Sequence, residues 1–354
     1  MKAMTKIVGT GAGDTLAGTS EGDRIWALAG NDHVDGGDGD DIIDGGAGND
    51  VLTSSSGFDQ LDGGDGDDKL VFNGVGGAAR GGAGVDSLVI DLSGKNDAFT
   101  FNSTSGHASF GDPTVAAHHF YFVDVERLEL ATGDGNNTII ATTFDQINVH
   151  TGAGTDHVEG GNGNDSIWGG DGKDVLLGGG GNDSLFGEGG NDKIEGGNGN
   201  DSIWGGEGND NLGGGRGDDM IDSGTGNDAI NGGDGNDILL GGAGDDAIKG
   251  GSGIDHLSGG EGNDTLSGGT GADVFEFASG SSNGVDHITD FDTNGGDVIN
   301  LHNFSQIHDF DSFIAASHDT AGGVFVSFDG SDTNGFFIDH VTVADLSHDD
   351  VTFS

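Results

Sequence analysis

The chain has no cysteine, a single proline, and eleven lysines and arginines against 62 aspartates and glutamates in 354 residues. Without cysteine it forms no disulfide and no thiolate metal site, so in an oxidising compartment something else must stiffen it. One proline, and a repeat whose period is not three, exclude a collagen-like helix. A net charge of −51 argues against nucleic acid and anionic membrane surfaces as partners, since both require a basic footprint. The opening MKAMTKIVGTGAGDTLAG has no apolar run long enough for a signal peptide, and no stretch is long and apolar enough to span a membrane, so no stable membrane insertion is expected. Catalytic motifs are equally scarce. There is no H-E-x-x-H zinc helix and no G-x-x-x-x-G-K-[ST] phosphate loop. G-x-S-x-G occurs at Gly18–Gly22 and Gly280–Gly284, with Ser20 and Ser282 at its centre. Neither copy follows a buried strand and opens a helix, as a nucleophile elbow must, and a chain with 77 glycines produces such matches by chance. The eight residues ahead of the first repeat leave no room for a catalytic domain, so the expectation is a non-enzymatic protein.

What the chain does have is glycine and aspartate in strict order. Thr151 to Glu276 divides into fourteen nine-residue frames that read Gly-Gly-x-Gly-x-Asp-x-(apolar)-x, as in Gly160–Trp168, GGNGNDSIW. The sixth place is always aspartate: Asp156, Asp165, Asp174, Asp183, Asp192, Asp201, Asp210, Asp219, Asp228, Asp237, Asp246, Asp255, Asp264 and Asp273. The eighth is always apolar, from Val158 and Ile167 to Leu266 and Phe275. A fixed short period held this long is the signature of a solenoid. One apolar residue in nine cannot fill a conventional core, so the first six residues are predicted to be a turn and the last three a short strand. Glycines at the first, second and fourth places permit positive φ and let carbonyl oxygens crowd together. The aspartate adds a hard anionic oxygen. Calcium takes six to eight oxygens, mixing carboxylates with backbone carbonyls, so each turn offers part of a calcium site.

These frames resemble the RTX (repeats-in-toxin) family, whose members are bacterial proteins exported by type I secretion. The resemblance implies an all-β fold, a right-handed parallel β-roll in which two frames make one coil and each ion lies between frames n and n+2. Asp156 would then pair with Asp174, Asp165 with Asp183, and so on to Asp255 with Asp273. Fourteen frames give about twelve calcium sites, with the first-place glycines Gly160, Gly169, Gly178, Gly196, Gly205, Gly232, Gly241, Gly250 and Gly259 counted among the metal-binding residues. Twelve divalent ions would bring −51 to −27, so folding is expected to depend on calcium.

Residues 9–89 carry the same register in worn form, with sixth places Asp14, Asp23, Asp32, Asp41, Asp50, Asp59, Asp68, Gly77 and Asp86. Several more calcium sites are expected here, between Asp32 and Asp50, Asp50 and Asp68, Asp41 and Asp59, and Asp68 and Asp86. The first two frames read as a capping coil, because terminal repeats are commonly atypical. Residues 90–150 form a β-rich insertion between the two blocks, read mainly as an extension of the roll's sheets. A sharper alternative is a recognition surface made by Phe99, Phe101, Phe110, Phe120, Tyr121 and Phe122. His118 and His119 are adjacent on a strand, point to opposite faces, and do not make a metal pair. The main block, 151–276, is followed by a capping region, 277–354, with a short amphipathic helix over Asp309–Ser317 and a hairpin. Its ending, LSHDDVTFS, is similar to the uncleaved type I secretion signal of RTX proteins.

The reading is thus a secreted calcium-binding protein, outside or on the surface of a Gram-negative bacterium, acting in adhesion, matrix or host interaction. Its partners would be calcium, the type I secretion machinery, and an extracellular polysaccharide or cell surface. The rival readings are a polysaccharide-binding accessory module of an RTX enzyme such as an alginate epimerase, and a membrane-active secreted protein.

Overall fold

A computed structural model describes residues 4–74, 76–110, 119–280 and 284–354. The chain forms two compact units, Met1–Asp171 and Gly172–Ser354. Both are parallel β-rolls.

In the second unit the eighth-place side chain organises each strand. The strand Ser202–Glu207 turns Ile203 and Gly205 inward and leaves Trp204 between them partly exposed. Ile203 lies opposite Ile221, and Ile221 opposite Leu239. In the facing sheet Ile194 lies opposite Leu212, and Leu212 opposite Ile230. Partners are eighteen residues apart, so successive frames alternate between two sheets. Every eighth-place residue of the main block is buried, at 3% exposure or less, and contributes roughly 1.5–3 kcal/mol by leaving water.

The strands are longer than the sequence suggested. They run from the seventh place through the third place of the next frame, as in Lys193–Asn198 and Ala229–Asp234. Glycines at places one and two therefore lie in the ladder, with Gly206 opposite Gly224 and Gly215 opposite Gly233. Only places four to six turn. The extended conformation wins because it satisfies backbone donors and acceptors across the coils, which an isolated six-residue turn would leave unpaired.

Beyond the repeats the same pairing continues without the glycines. Phe275 lies opposite Ile299 and Ile299 opposite Val351, while Leu266 lies opposite Ile288 and Ile288 opposite Ile338. Antiparallel strands Gly323–Ser327 and Ser317–Asp319 then follow on Gly335–Asp339. The expected helix spans Phe310–Ala316, started by Asp309, whose carboxylate accepts the Ser312 N–H at 2.8 Å, and it buries Phe313. Phe277 stacks on Phe336 at 4.4 Å in this wider core.

The first unit begins with the same architecture. One sheet runs Thr5–Val8, Asp23–Trp26, Ile42–Ala47, Asp59–Asp65 and Gly77–Ala83, all parallel. The described strands between Phe99 and His150 extend both sheets. The second sheet passes straight through, with Leu88 opposite Leu128 and Leu128 opposite Ile147. The first takes a detour: Gly77–Ala83 pairs with His119–Val123, which runs antiparallel to His107–Phe110, itself antiparallel to Phe99–Asn102. Parallel pairing resumes at Thr138–Ile140 and His157–Gly161.

Four of the six aromatic side chains considered above as a recognition surface are turned inward. Phe99, Phe101, Phe120 and Phe122 are buried, packed with Phe72 and Phe144. Without glycine turns the coil widens, and large side chains fill it. Alternation along the strand leaves only Tyr121 of the six demonstrably outside, 47% exposed; the Phe110 side chain and His118 lie outside the described residues. His119 instead meets His107, ring nitrogens 3.2 Å apart. Among the described residues no helix is long and apolar enough to cross a membrane.

Candidate metal centre

Each sixth-place aspartate reaches back one coil. In the second unit Asp210 Oδ1 accepts the Asp192 N–H at 2.8 Å, Asp219 that of Asp201 at 2.8 Å, and Asp228 that of Asp210 at 2.8 Å. The ladder runs from Asp174 and Asp183 to Asp273. Pairs predicted to share an ion, such as Asp201 and Asp219, are thus joined through one backbone N–H and one carboxylate oxygen.

The second carboxylate oxygen has a different fate. On Asp192, Asp201, Asp210, Asp219, Asp228, Asp237, Asp246, Asp255, Asp264 and Asp273 it is buried with no hydrogen-bond donor. It faces further acceptors instead. A methyl group on Gly196 would lie 2.3 Å from Asp201 Oδ2 and 2.7 Å from the Gly214 carbonyl oxygen of the next coil. The same cradle recurs at Gly232, between Asp237 Oδ2 at 2.3 Å and the Gly250 carbonyl at 2.7 Å, and at Gly250, Gly205 and Gly241. The predicted glycines Gly196, Gly205, Gly232, Gly250 and Gly259 present their carbonyls to the carboxylate of the preceding coil. Gly241 and Gly169 differ, since their carbonyls accept the hydroxyls of Ser223 and Thr151, each at 2.5 Å. Second-place Gly215 has φ +113°, and a methyl there would lie 2.2 Å from the Gly197 carbonyl oxygen; only glycine fits.

A buried carboxylate oxygen ringed by carbonyls is electrostatically unfavourable by itself. Burial pushes Asp219 and Asp246 up to about 7, helped by neighbouring aspartates, and Asp192, Asp210, Asp255 and Asp273 up to about 6. A cation held between these oxygens would offset that cost. An all-oxygen set without sulfur or imidazole suits a hard ion such as calcium.

Asn137 identifies the donor positions independently. Its frame, Thr132–Ile140, has asparagine where aspartate belongs. The Asn137 amide nitrogen donates to the carbonyls of Gly135 at 2.6 Å, Thr151 at 3.1 Å and Gly133 at 3.3 Å, while its oxygen accepts the Phe99 N–H at 3.0 Å. Gly133 and Gly135 are the second and fourth places of its own frame, and Thr151 is the first place one coil on. The amide therefore occupies the place between carboxylate and carbonyls that a cation would take elsewhere. The residues fitted to hold calcium are the sixth-place carboxylate, the carbonyls of places two and four, and the first-place carbonyl of the next coil.

The N-terminal block shows which turns keep this arrangement. Asp32, Asp41, Asp50, Asp68 and Asp86 each have a buried Oδ2 without a donor, and burial raises Asp41 and Asp68 to about 7. Asp59 differs, because Ser54 replaces the first-place glycine and its hydroxyl donates to Asp59 Oδ2. Asp14 and Asp23 have threonine at place two, and the N–H groups of Thr10 and Thr19 donate to them at 2.5 Å. Asp165 accepts the Gly161 N–H at 3.1 Å and the Ile147 N–H at 2.9 Å. Asp156, Asp165, Asp174 and Asp183 lie where one unit gives way to the other, and Gly160 and Gly178 open two of these frames. Of the two motif serines, Ser20 sits on an exposed bend leading into a strand, and Ser282 lies outside the described residues.

Three ladder members escaped the sequence reading. Asp286 accepts the Asp264 N–H and Asp297 the Asp273 N–H, both at 3.0 Å, and Glu126 accepts the Asp86 N–H at 2.8 Å. The signal was half a frame: Asp286-His-Ile288, Asp297-Val-Ile299 and Glu126-Arg-Leu128 keep acid-x-apolar after the glycines are gone.

Among known proteins, the family model described as RTX calcium-binding nonapeptide repeat matches in overlapping stretches that together cover 8–74 and 150–282. No curated protein matches the sequence. Solved structures that match include the extracellular lipase LipA from Serratia marcescens, at 15% identity and a TM-score of 0.24. The alignment covers 89% of this chain but 40% of that one.

Two predictions follow from this geometry. Asn137→Asp should convert an amide-filled turn into an ion-filled one, raising the calcium bound per chain by one in calorimetry; an unchanged count would contradict the assignment. In the calcium-free chain burial raises the folded pKa values of Asp192, Asp210, Asp255 and Asp273 from the ordinary 3.8 to about 6, and those of Asp219 and Asp246 to about 7. Their contribution to the calcium-free fold is therefore complete below about pH 4 and lost as pH rises through that range. Circular dichroism in chelator should show more β-structure at pH 4 than at pH 8, and calcium affinity should fall on acidification.

Proposed function

The chain belongs to the RTX calcium-binding nonapeptide-repeat family, and from that membership we propose that it is a secreted, non-enzymatic protein that folds on calcium outside the cell. It would act there in surface adhesion, matrix or host interaction. The observation that carries the proposal is the row of buried, donor-free carboxylate oxygens in the second unit. Their charge has no protein partner, so the fold is complete only where calcium is abundant. We assign about twelve ions to frames 151–276 and several to 9–89, with 90–150 as a metal-poor insertion and 277–354 as a cap carrying the export signal. Sites of extracellular modules bind at about 10⁻⁴–10⁻³ M, above the calcium concentration of a cytosol. The chain would therefore leave the cell unfolded, and the ion gradient would make export one-way.

The C-terminal segment supports this order of events. Val351–Phe353 pairs with Val298–His302, and the Ser354 N–H donates to the Leu301 carbonyl at 3.0 Å. A signal so incorporated is readable only before folding. Deletion of the segment after Asp309 is expected to abolish appearance of the chain in culture supernatant through a type I system, whereas deletion of Met1–Ile7 leaves it. Normal export of the C-terminally truncated chain would overturn this part of the proposal.

A further inference from the structure

The outer face of the first unit carries a groove of about 480 Å³ that no part of the calcium chemistry uses. Parallel register lines up its side chains in two rows running across the strands. One row passes from Arg24 through Ile42, Gln60 and Ala78 to Tyr121. The other passes from Trp26 through Asp44 and Asp62 to Arg80. From the strand of Arg24 to that of Tyr121 is four strand spacings, about 19 Å. Small or flat side chains form the floor, and the aromatics Trp26 and Tyr121 stand at opposite ends.

Two of the chain's eleven basic residues, Arg24 and Arg80, line this groove, in a protein of net charge −51. Arg24 packs its guanidinium 5.0 Å from the Trp26 ring centre, which holds both side chains in place. Arg80 lies 3.6 Å from both Asp62 and Asp124. Donors on Arg24, Arg80 and Gln60 therefore alternate with acceptors on Asp44, Asp62 and Gln60. A hydroxyl is both donor and acceptor, and a pyranose ring adds an apolar face that stacks on an aromatic. A polyanion would bring further negative charge beside Asp44 and Asp62. We propose that this groove binds a neutral oligosaccharide lying across the strands, stacked at Trp26 and Tyr121 and hydrogen-bonded to Gln60, Asp62 and the two arginines. This deepens the reading of the chain as a surface-interaction protein and rests on it.

The test is tryptophan fluorescence of the calcium-loaded full chain titrated with cellohexaose, maltohexaose and mannohexaose, with an alginate hexamer and a hexapeptide as comparison arms. The other two tryptophans are stacked elsewhere, Trp168 on His150 and Trp204 on Phe186. At least one neutral hexamer should bind, and Trp26→Ala and Gln60→Ala should each weaken it tenfold or more by calorimetry, with unchanged calcium-dependent circular dichroism. If Trp26→Ala does not fold, Gln60→Ala and Tyr121→Ala decide the question. No binding of any neutral hexamer, binding only of the alginate hexamer or the peptide, or binding indifferent to these substitutions would overturn the proposal. If the protein still adheres to intact cells under those outcomes, the groove assignment alone has failed; if it adheres to none, the adhesion reading has failed with it.

Discussion

The structure depends on one electrostatic arrangement: in the regular frames from Asp192 to Asp273, a carboxylate oxygen is buried at the mouth of the turn, beside carbonyl oxygens and reached by no donor. Oxygen lone pairs so placed repel one another, and water is excluded from relieving them. The eighteen-residue coil, the glycines that admit close carbonyl contact, and the burial of single apolar side chains all converge on that point. A cation turns repulsion into attraction there. Hydrophobic burial sets the register, but one apolar side chain in nine leaves the fold dependent on what fills the turns.

The chain meets this problem in more than one way. In most frames the turn is left for an ion. At Asn137 a side-chain amide fills the same place, at Asp59 a serine hydroxyl supplies a proton, and at Asp14 and Asp23 a backbone N–H does so. These four turns each depart from the repeat at a particular position: asparagine at place six, serine at place one, threonine at place two; Asp165 shows that a place-two N–H also reaches the carboxylate in a regular frame. On the proposed reading, calcium dependence would be graded along the chain, greatest in the regular frames and least at the first coil and in the insertion.

Much of this was legible in the sequence. The period of nine, the invariant aspartate and the single apolar place define the two-sheet roll and its eighteen-residue coil. The length of the strands was not legible, because glycines at places one and two have low strand propensity and pair only through the neighbouring coils. The inward direction of Phe99, Phe101, Phe120 and Phe122 was likewise hidden, since a cluster of aromatics does not reveal which face of a strand is enclosed. Asp286, Asp297 and Glu126 were missed because the search followed the glycines, whereas the ladder follows the acid and the apolar residue two places on. The groove at Trp26 is invisible in one dimension, because its rows join residues eighteen or more positions apart.

The central claim is that the ordered roll requires a cation in the turns. The direct measurement is hydrogen exchange of the whole chain at pH 8, in millimolar calcium and in chelator, with circular dichroism recorded on the same samples. The account predicts protected amides throughout 151–276 in calcium. In chelator it predicts near-complete loss of that protection and of the β-spectrum. Retention of both in chelator would show that the buried carboxylates are satisfied without an ion, and would contradict the account.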